Sequence, residues 1–384
     1  MIAGCDPYDS NALQRVDKSA GAQQTWFADI LTSEQPVYPP TALLLAIPFG
    51  VRPWHPAHLL WLALTGLAFV LSVWMTWDLC ADFAPLTAGL LLGSFAATST
   101  LLLMTANPTG LATSFCVIAV WCVLRERLAM LGVVCLALSL LLKPQMSGFV
   151  WLYFMLASPL YRRFALKTLA LTAAIAVPAI VWVSVMPASQ HWLSELHGLV
   201  IGSLQPGGTS DPGPGNSTSF GYLNLQALFS VIRDVPSVYQ LESYAVFSPI
   251  LLLWGVVTAK SKASRRMSYL GIATAAALTV LPVYHRVYDV RLWLLLFPAA
   301  FLLWDMRGKR GWLALGCMAV VTGSTANPIL YFMQAHHRSF YHGPIWVQLA
   351  GRPYVLLALT MTIFFLGIYV QEARRAKRQE AVGA

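Results

Sequence analysis

Charge is what this chain has least of. Asp, Glu, Lys and Arg make up 11% of its 384 residues, against about 25% in a soluble globular domain. That scarcity, beside 57% hydrophobic residues and a mean hydropathy of +0.63, excludes an ordinary water-soluble fold and predicts a polytopic membrane protein. Two-residue alternation is also lacking: the apolar runs are continuous, which excludes a β-barrel and leaves an all-α helix bundle. Cysteine is sparse and poorly placed for bridging. Cys80, Cys116, Cys122, Cys135 and Cys317 lie in or beside apolar runs and Cys5 alone in a polar segment, so neither a disulfide framework nor a metal site is expected. The opening MIAGCDPYDSNALQRVDKSAG has no charged stretch followed by an apolar core, so no signal peptide is expected. There is no convincing internal repeat.

The net charge of +9 is not a nucleic-acid footprint, because the cations fall in short clusters between apolar runs. That is positive-inside patterning, and the partner it implies is the bilayer; fourteen Trp and fourteen Tyr suit its two interfaces. Residues 1–55 form a first polar loop with a short helix opened by Tyr38-Pro39-Pro40; at about 13 residues, roughly 20 Å, it is too short to span. Eleven candidate spans follow: 56–77, 84–104, 109–124, 128–142, 144–160, 165–186, 243–259, 267–283, 289–304, 311–333 and 352–371. They group into an N-terminal module (56–186), a long loop (187–242) and a C-terminal module (243–371), with a basic tail at 372–384. The clusters Arg125/Arg127, Arg162/Arg163/Lys167, Lys260/Lys262/Arg265/Arg266, Arg307/Lys309/Arg310 and Arg374/Arg375/Lys377/Arg378 are each two spans apart. All five therefore fall on one side, the cytoplasmic one. Eleven spans then put Met1 outside, so a first transmembrane helix is expected upstream of this start.

The polar exceptions collect on the other face. Lys143, with Pro144 and Gln145, interrupts the apolar stretch Leu131–Leu156. One continuous helix would hold its ammonium near the hydrocarbon midplane at roughly 3 kcal/mol or more. Two helices meeting at the proline would bring it to a membrane face, within reach of a lipid phosphate; a snorkelling lysine without a role is the plainer alternative. Tyr284-His285-Arg286-Val287-Tyr288-Asp289 offers a guanidinium for a phosphate and an imidazole for protons, or else a solvated turn closed by an Arg286–Asp289 ion pair. Asp6 and Asp9 can serve as a general base or bind a sugar hydroxyl, or make an ordinary Asp-Pro turn. Asn107 can cap the helix that follows or bind a ligand. His336, His337 and His342 lack metal-ligand spacing and read as solvated loop residues. The stretch 203–222, SLQPGGTSDPGPGNSTSFGY, cannot be regular structure; it is a substrate lid or a connector.

These elements, in this order, resemble the polytopic GT-C glycosyltransferases, specifically the polyprenyl-phosphate-mannose-dependent α-mannosyltransferases of glycosyltransferase family 87. The matching stretches are Gly4-Cys5-Asp6-Pro7-Tyr8-Asp9, Tyr38-Pro39-Pro40, Ala106-Asn107-Pro108-Thr109, Arg125-Glu126-Arg127, Lys143-Pro144-Gln145, Gly215-Asn216-Ser217-Thr218-Ser219 and Tyr284-His285-Arg286. The resemblance implies transfer of a sugar from a polyprenyl-phosphate donor to a glycolipid or glycan acceptor at the extracytoplasmic face of the plasma membrane. It requires no cofactor and no metal. It places the family's base before the Asp-Pro-Tyr-Asp stretch, upstream of Met1, leaving Asp6 and Asp9 as substitutes. Lys143, His285 and Arg286 form the expected phosphate clamp, with Tyr38, Asn107, Gln145, Tyr288 and Asp289 as substrate-binding residues. The rival readings are a transporter or flippase of a lipid-linked substrate, suggested by short interrupted helices, and a non-catalytic homologue.

Overall fold

The computed structural model describes residues 37–99, 107–324 and 342–383, together with Tyr8, Phe332, Ala335 and His336. Among the described residues the chain is all-helical, without a β-strand. In order, α1 (Pro40–Gly50), α2 (Trp54–Ala81) and α3 (Pro85–Thr98) precede α4 (Thr109–Leu124), α5 (Ala129–Leu142), α6 (Pro144–Ala157) and α7 (Pro159–Val185). Next come α8 (Trp192–Leu204), α9 (Leu225–Phe229), α10 (Pro236–Lys260) and α11 (Arg265–Thr279). A 3-10 helix, Val287–Leu296, runs into α12 (Phe297–Asp305), and α13 (Lys309–Ser324), α14 (Ile345–Ala350) and α15 (Pro353–Gly383) complete the chain. Proline marks many of the starts. It occupies an opening position of α1, α3, α6, α7 and α10, where its missing N–H costs nothing.

Five segments are long and apolar enough to cross a membrane: His55–Ala81 in α2, all of α7 and α10, Val287–Asp305, and Pro353–Gln379 in α15. Their surroundings differ. Over an 18-residue apolar window, 83% of the residues are buried in Val287–Asp305 and only 17% in α7, so the first is the axis of the bundle and the second its rim. On α2, Leu59, Leu64, Leu67, Val70 and Trp74 point outward, an apolar flank suited to lipid rather than water. Around the axis stand shorter helices. α4, α5, α6 and α11 have 14 to 16 residues, a rise of about 21–24 Å, below the roughly 30 Å of a hydrocarbon core. They pack closely because their facing residues are small. A Cβ on Gly271 would lie 2.5 Å from the Tyr153 ring, and one on Gly132 2.9 Å from Cys122, the close approach that membrane helices use in place of a hydrophobic driving force.

Each of the eleven apolar runs contains a helix, but several boundaries move. α7 starts at Pro159 rather than 165, because the Ser158 hydroxyl accepts the Tyr161 N–H at 3.2 Å. Arg162, Arg163 and Lys167 thus lie in its opening turns, not in a loop. α10 starts at Pro236 instead of 243, and the basic tail is the helical continuation of α15.

The basic clusters meet at one end of the bundle. Arg125 binds Asp78 (2.6 Å) and Asp82 (2.9 Å), and Asp82 also takes Arg265. Glu372 receives Arg266 (2.8 Å) and Arg375 (2.9 Å). Lys309 and Arg310 border the same hollow as Arg266 and Glu372, and Tyr161, next to Arg162, reaches Ser268 at 3.2 Å.

Candidate functional site

The helix break stands at Lys143. With φ −154 and ψ 83 this residue ends α5 and precedes α6, as the proline after it requires. Its ammonium neither snorkels nor faces open solvent: the side chain is 8% exposed. Nζ donates to Thr109 Oγ1 at 2.8 Å and to Asp289 Oδ1 at 3.0 Å, and lies 5.8 Å from the centre of the Tyr288 ring. Two of its three N–H groups are thereby used, and the third has no acceptor among the described residues. The other oxygen of Asp289 accepts the Arg286 N–H at 3.0 Å.

The network continues toward the first loop. Thr109 opens α4, and its N–H donates to Asn107 Oδ1 at 2.9 Å, so Asn107 does fasten the start of that helix. The same oxygen accepts the Tyr38 hydroxyl at 2.9 Å. The Tyr38 carbonyl in turn accepts the Tyr8 hydroxyl at 2.8 Å, and the Tyr8 ring packs on Trp192. Residues 8, 38, 107, 109, 143 and 289 are thus strung on one hydrogen-bonded path. Asp6 and Asp9 lie outside the described residues. Gln145 is exposed and takes no part in this path.

The 284–289 segment is not the solvated turn considered as an alternative. His285 is fully buried and Asp289 is 1% exposed. His285 Nδ1 sits 2.9 Å from the Val283 carbonyl, so Nδ1 carries the proton and Nε2 presents a lone pair; Nε2 is buried with no hydrogen-bond partner. Burial, partly opposed by the Asp289 charge, lowers the imidazole from 6.5 to about 4. His285 is therefore neutral at physiological pH, an acceptor rather than the cation of a clamp.

Arg286 turns its guanidinium the other way, onto the Thr209 carbonyl at 2.9 Å and over the rings of Tyr222 and Tyr284. There it meets the glycine- and proline-rich stretch, which has turns and one short 3-10 helix and is buried over 210–213 and 219–222. Asp211 accepts the N–H groups of Gly207 (2.8 Å) and Gly213 (2.7 Å). Tyr222 and Arg286 form an antiparallel bridge, and Leu223 and Leu225 donate to the carbonyls of His285 (3.0 Å) and Leu281 (2.9 Å). The stretch is docked directly on the histidine-bearing turn.

Two buried cations escaped the sequence analysis. Arg291, 3% exposed, donates to the carbonyls of Tyr288 (2.7 Å) and Ser99. Its signal was available, a guanidinium inside the apolar run VYDVRLWLLL. Arg352, 1% exposed, donates to Ser219 Oγ at 2.6 Å and ties α15 to the docked loop. His336 and His342 are exposed, His337 lies outside the described residues, and no metal-binding group of three appears among the described residues. Neither a family model nor any curated protein or solved structure matches the chain.

Proposed function

We propose that this chain is an integral-membrane hexosyltransferase of the GT-C kind. It moves a sugar, mannose by resemblance, from a polyprenyl-phosphate donor to a glycolipid or glycan acceptor. The observation that carries this reading is the convergence of Tyr38, Asn107, Lys143, Tyr288 and Asp289, residues from distant parts of the chain, around one buried ammonium. This reading takes eleven spans, five of them on segments long and apolar enough to cross a membrane and the shorter ones crossing a bilayer locally thinned or partly filled by the recess. The basic end takes the cytoplasmic side by the positive-inside rule, which turns the Lys143 end to the extracytoplasmic face of the plasma membrane. α5 rises only about 21 Å from the basic end, so Lys143 lies below the outer surface, at the depth of a lipid phosphate drawn into a recess.

The chemistry needs little. The bond from the sugar's anomeric carbon to the phosphate oxygen breaks, a bond to the acceptor oxygen forms, and the acceptor's proton goes to a base. A phosphate leaving group wants positive charge rather than a general acid. Lys143 keeps one N–H for it, and Arg291 adds a second buried cation beside Asp289, so two cations face one carboxylate. His285 Nε2 supplies a lone pair for a hydroxyl; Asp6 and Asp9 are the carboxylate alternatives. The test is transfer of radiolabelled sugar from polyprenyl phosphate by the purified full chain in liposomes. Lys143→Ala, which removes an electrostatic group, and His285→Gln, which removes a base, should each lower transfer by about 100-fold or more. Normal transfer by either folded variant would remove that residue from the mechanism. The helix break and the ten-residue 3-10 segment also suit a transporter; movement of the lipid-linked sugar between leaflets without transfer would favour that reading.

A further inference from the structure

At the basic end, between α11, α12, α13 and α15, lies a hollow of about 230 Å³ bordered by Arg266, Lys309, Arg310 and Glu372 on its polar side and by Leu303 and Met306 on its apolar side. α11 separates it from the Lys143 site by 15 residues, about 22 Å. Its charge is unbalanced. Glu372 is 7% exposed and shared by two guanidinium groups, Arg266 and Arg375, and Arg266 Nε is buried with no hydrogen-bond partner. Lys309 and Arg310 are exposed and have no carboxylate partner among the described residues. Asp305, exposed nearby at the end of α12, forms no ion pair among the described residues. Three cations and one carboxylate thus line the hollow.

The backbone adds to this charge. Arg307 has φ 47, and this left-handed turn swings the chain so that α13, 16 residues long, starts at the hollow with its positive end. The rim is apolar and aromatic. Trp312 is 69% exposed and meets Trp304 edge-on at 4.3 Å, while Met306 and Leu313 are exposed beside it. An indole at such a rim belongs to the headgroup level of a bilayer. Cations above an apolar wall, between helices on the cytoplasmic side, match an amphiphile rather than a freely diffusing anion.

We infer that this hollow binds the phosphate of an anionic phospholipid from the cytoplasmic leaflet, Lys309 and Arg310 donating to the phosphate oxygens and the glycerol and acyl carbons lying along Met306 and Trp312. The site is independent of sugar transfer and stands whether or not the chain is an enzyme. It is tested by native mass spectrometry of the full chain released from phosphatidylcholine nanodiscs carrying increasing phosphatidylglycerol. The double variant Lys309→Ala/Arg310→Ala, altered at two exposed positions, should bind phosphatidylglycerol at least tenfold more weakly and phosphatidylcholine unchanged. The control Arg163→Ala/Lys167→Ala removes equal charge elsewhere at the same end and should behave as the parent. Equal phosphatidylglycerol binding by the double variant, or an equal loss in the control, would overturn the site. Displacement of the lipid by millimolar inorganic phosphate would instead identify a soluble anion and overturn the lipid assignment. Should the alanine variant fail to melt like the parent, Lys309→Gln/Arg310→Gln carries the same comparison.

Discussion

The Lys143–Asp289 pair gives the most demanding test of the architecture. Its side chains are 8% and 1% exposed and its atoms 3.0 Å apart. At an effective dielectric constant near 20 the attraction is about 5 kcal/mol, and much of it is offset by the cost of taking both ions out of water. Removing one partner is another matter, because the survivor stays buried and uncompensated; the expected cost is about 3–5 kcal/mol. Lys143→Met strands a carboxylate that still holds the Arg286 N–H and the field of Arg291. Asp289→Leu strands Lys143 and also removes the negative field acting on buried Arg291, so it should be the more damaging of the two. The double variant leaves no orphaned member of the pair and should recover to within about 2 kcal/mol of the parent. Equilibrium unfolding in mixed micelles titrated with dodecyl sulfate, followed by helix ellipticity at pH 7, completes the cycle. If the two losses simply add, to within about 0.5 kcal/mol, the two groups are not in contact and the site as described is wrong.

Two further outcomes follow from the same packing. His285 is lowered to about 4 by burial, so the unfolded chain takes up its proton first as pH falls; the stability it contributes is complete above about 6.5 and declines toward 4, by about 2 kcal/mol at pH 5. Thermal melting should thus drop between pH 7 and pH 5 and lose that part of its slope in His285→Gln; parallel curves for the two proteins would refute the buried neutral imidazole. Gly271→Ala would set a methyl 2.5 Å from the Tyr153 ring and 2.9 Å from the Tyr369 hydroxyl, and should cost about 1–3 kcal/mol by overpacking. An unchanged melting temperature would mean that α11 stands further from α6 and α15 than described.

What the sequence made legible was local chemistry. Proline fixes its own φ and offers no N–H, so helix starts at Pro85 and Pro144 follow from single residues. A lysine within an apolar stretch signals a need because an unpaired ammonium there is so costly. What satisfies that need was not legible from spacing, since Asp289 lies 146 positions away. The nearer candidate, an Arg286–Asp289 pair within one turn, was weighed instead. In the structure Asp289 gives Arg286 only its backbone contact with one oxygen and spends the other on the lysine, the cation with no water to fall back on. Composition likewise classed 203–222 as irregular, correctly, but could not count its hydrogen bonds: Asp211 and the ladder from Leu223 and Leu225 satisfy backbone that would otherwise require solvent.

Scarcity of charge could have taken the reading further. Only 16 Asp and Glu are available in the whole chain, and the alternation of basic clusters already assigns most positions to one end or the other. Asp78, Asp82 and Glu372 fall at the basic end, where Arg125, Arg265, Arg266 and Arg375 do engage them. Asp289 falls at the opposite end, beside an apolar run, where burial of its carboxylate demands a cation of equal need. Lys143 is the cation at that end whose alternative is hydrocarbon rather than water. In a chain so poor in charge, pairing buried ions end by end is a small assignment problem. Solved that way, it also brings out Arg291, whose guanidinium lies within the apolar run that Asp289 opens and which, lacking a carboxylate of its own, is left to two backbone carbonyls.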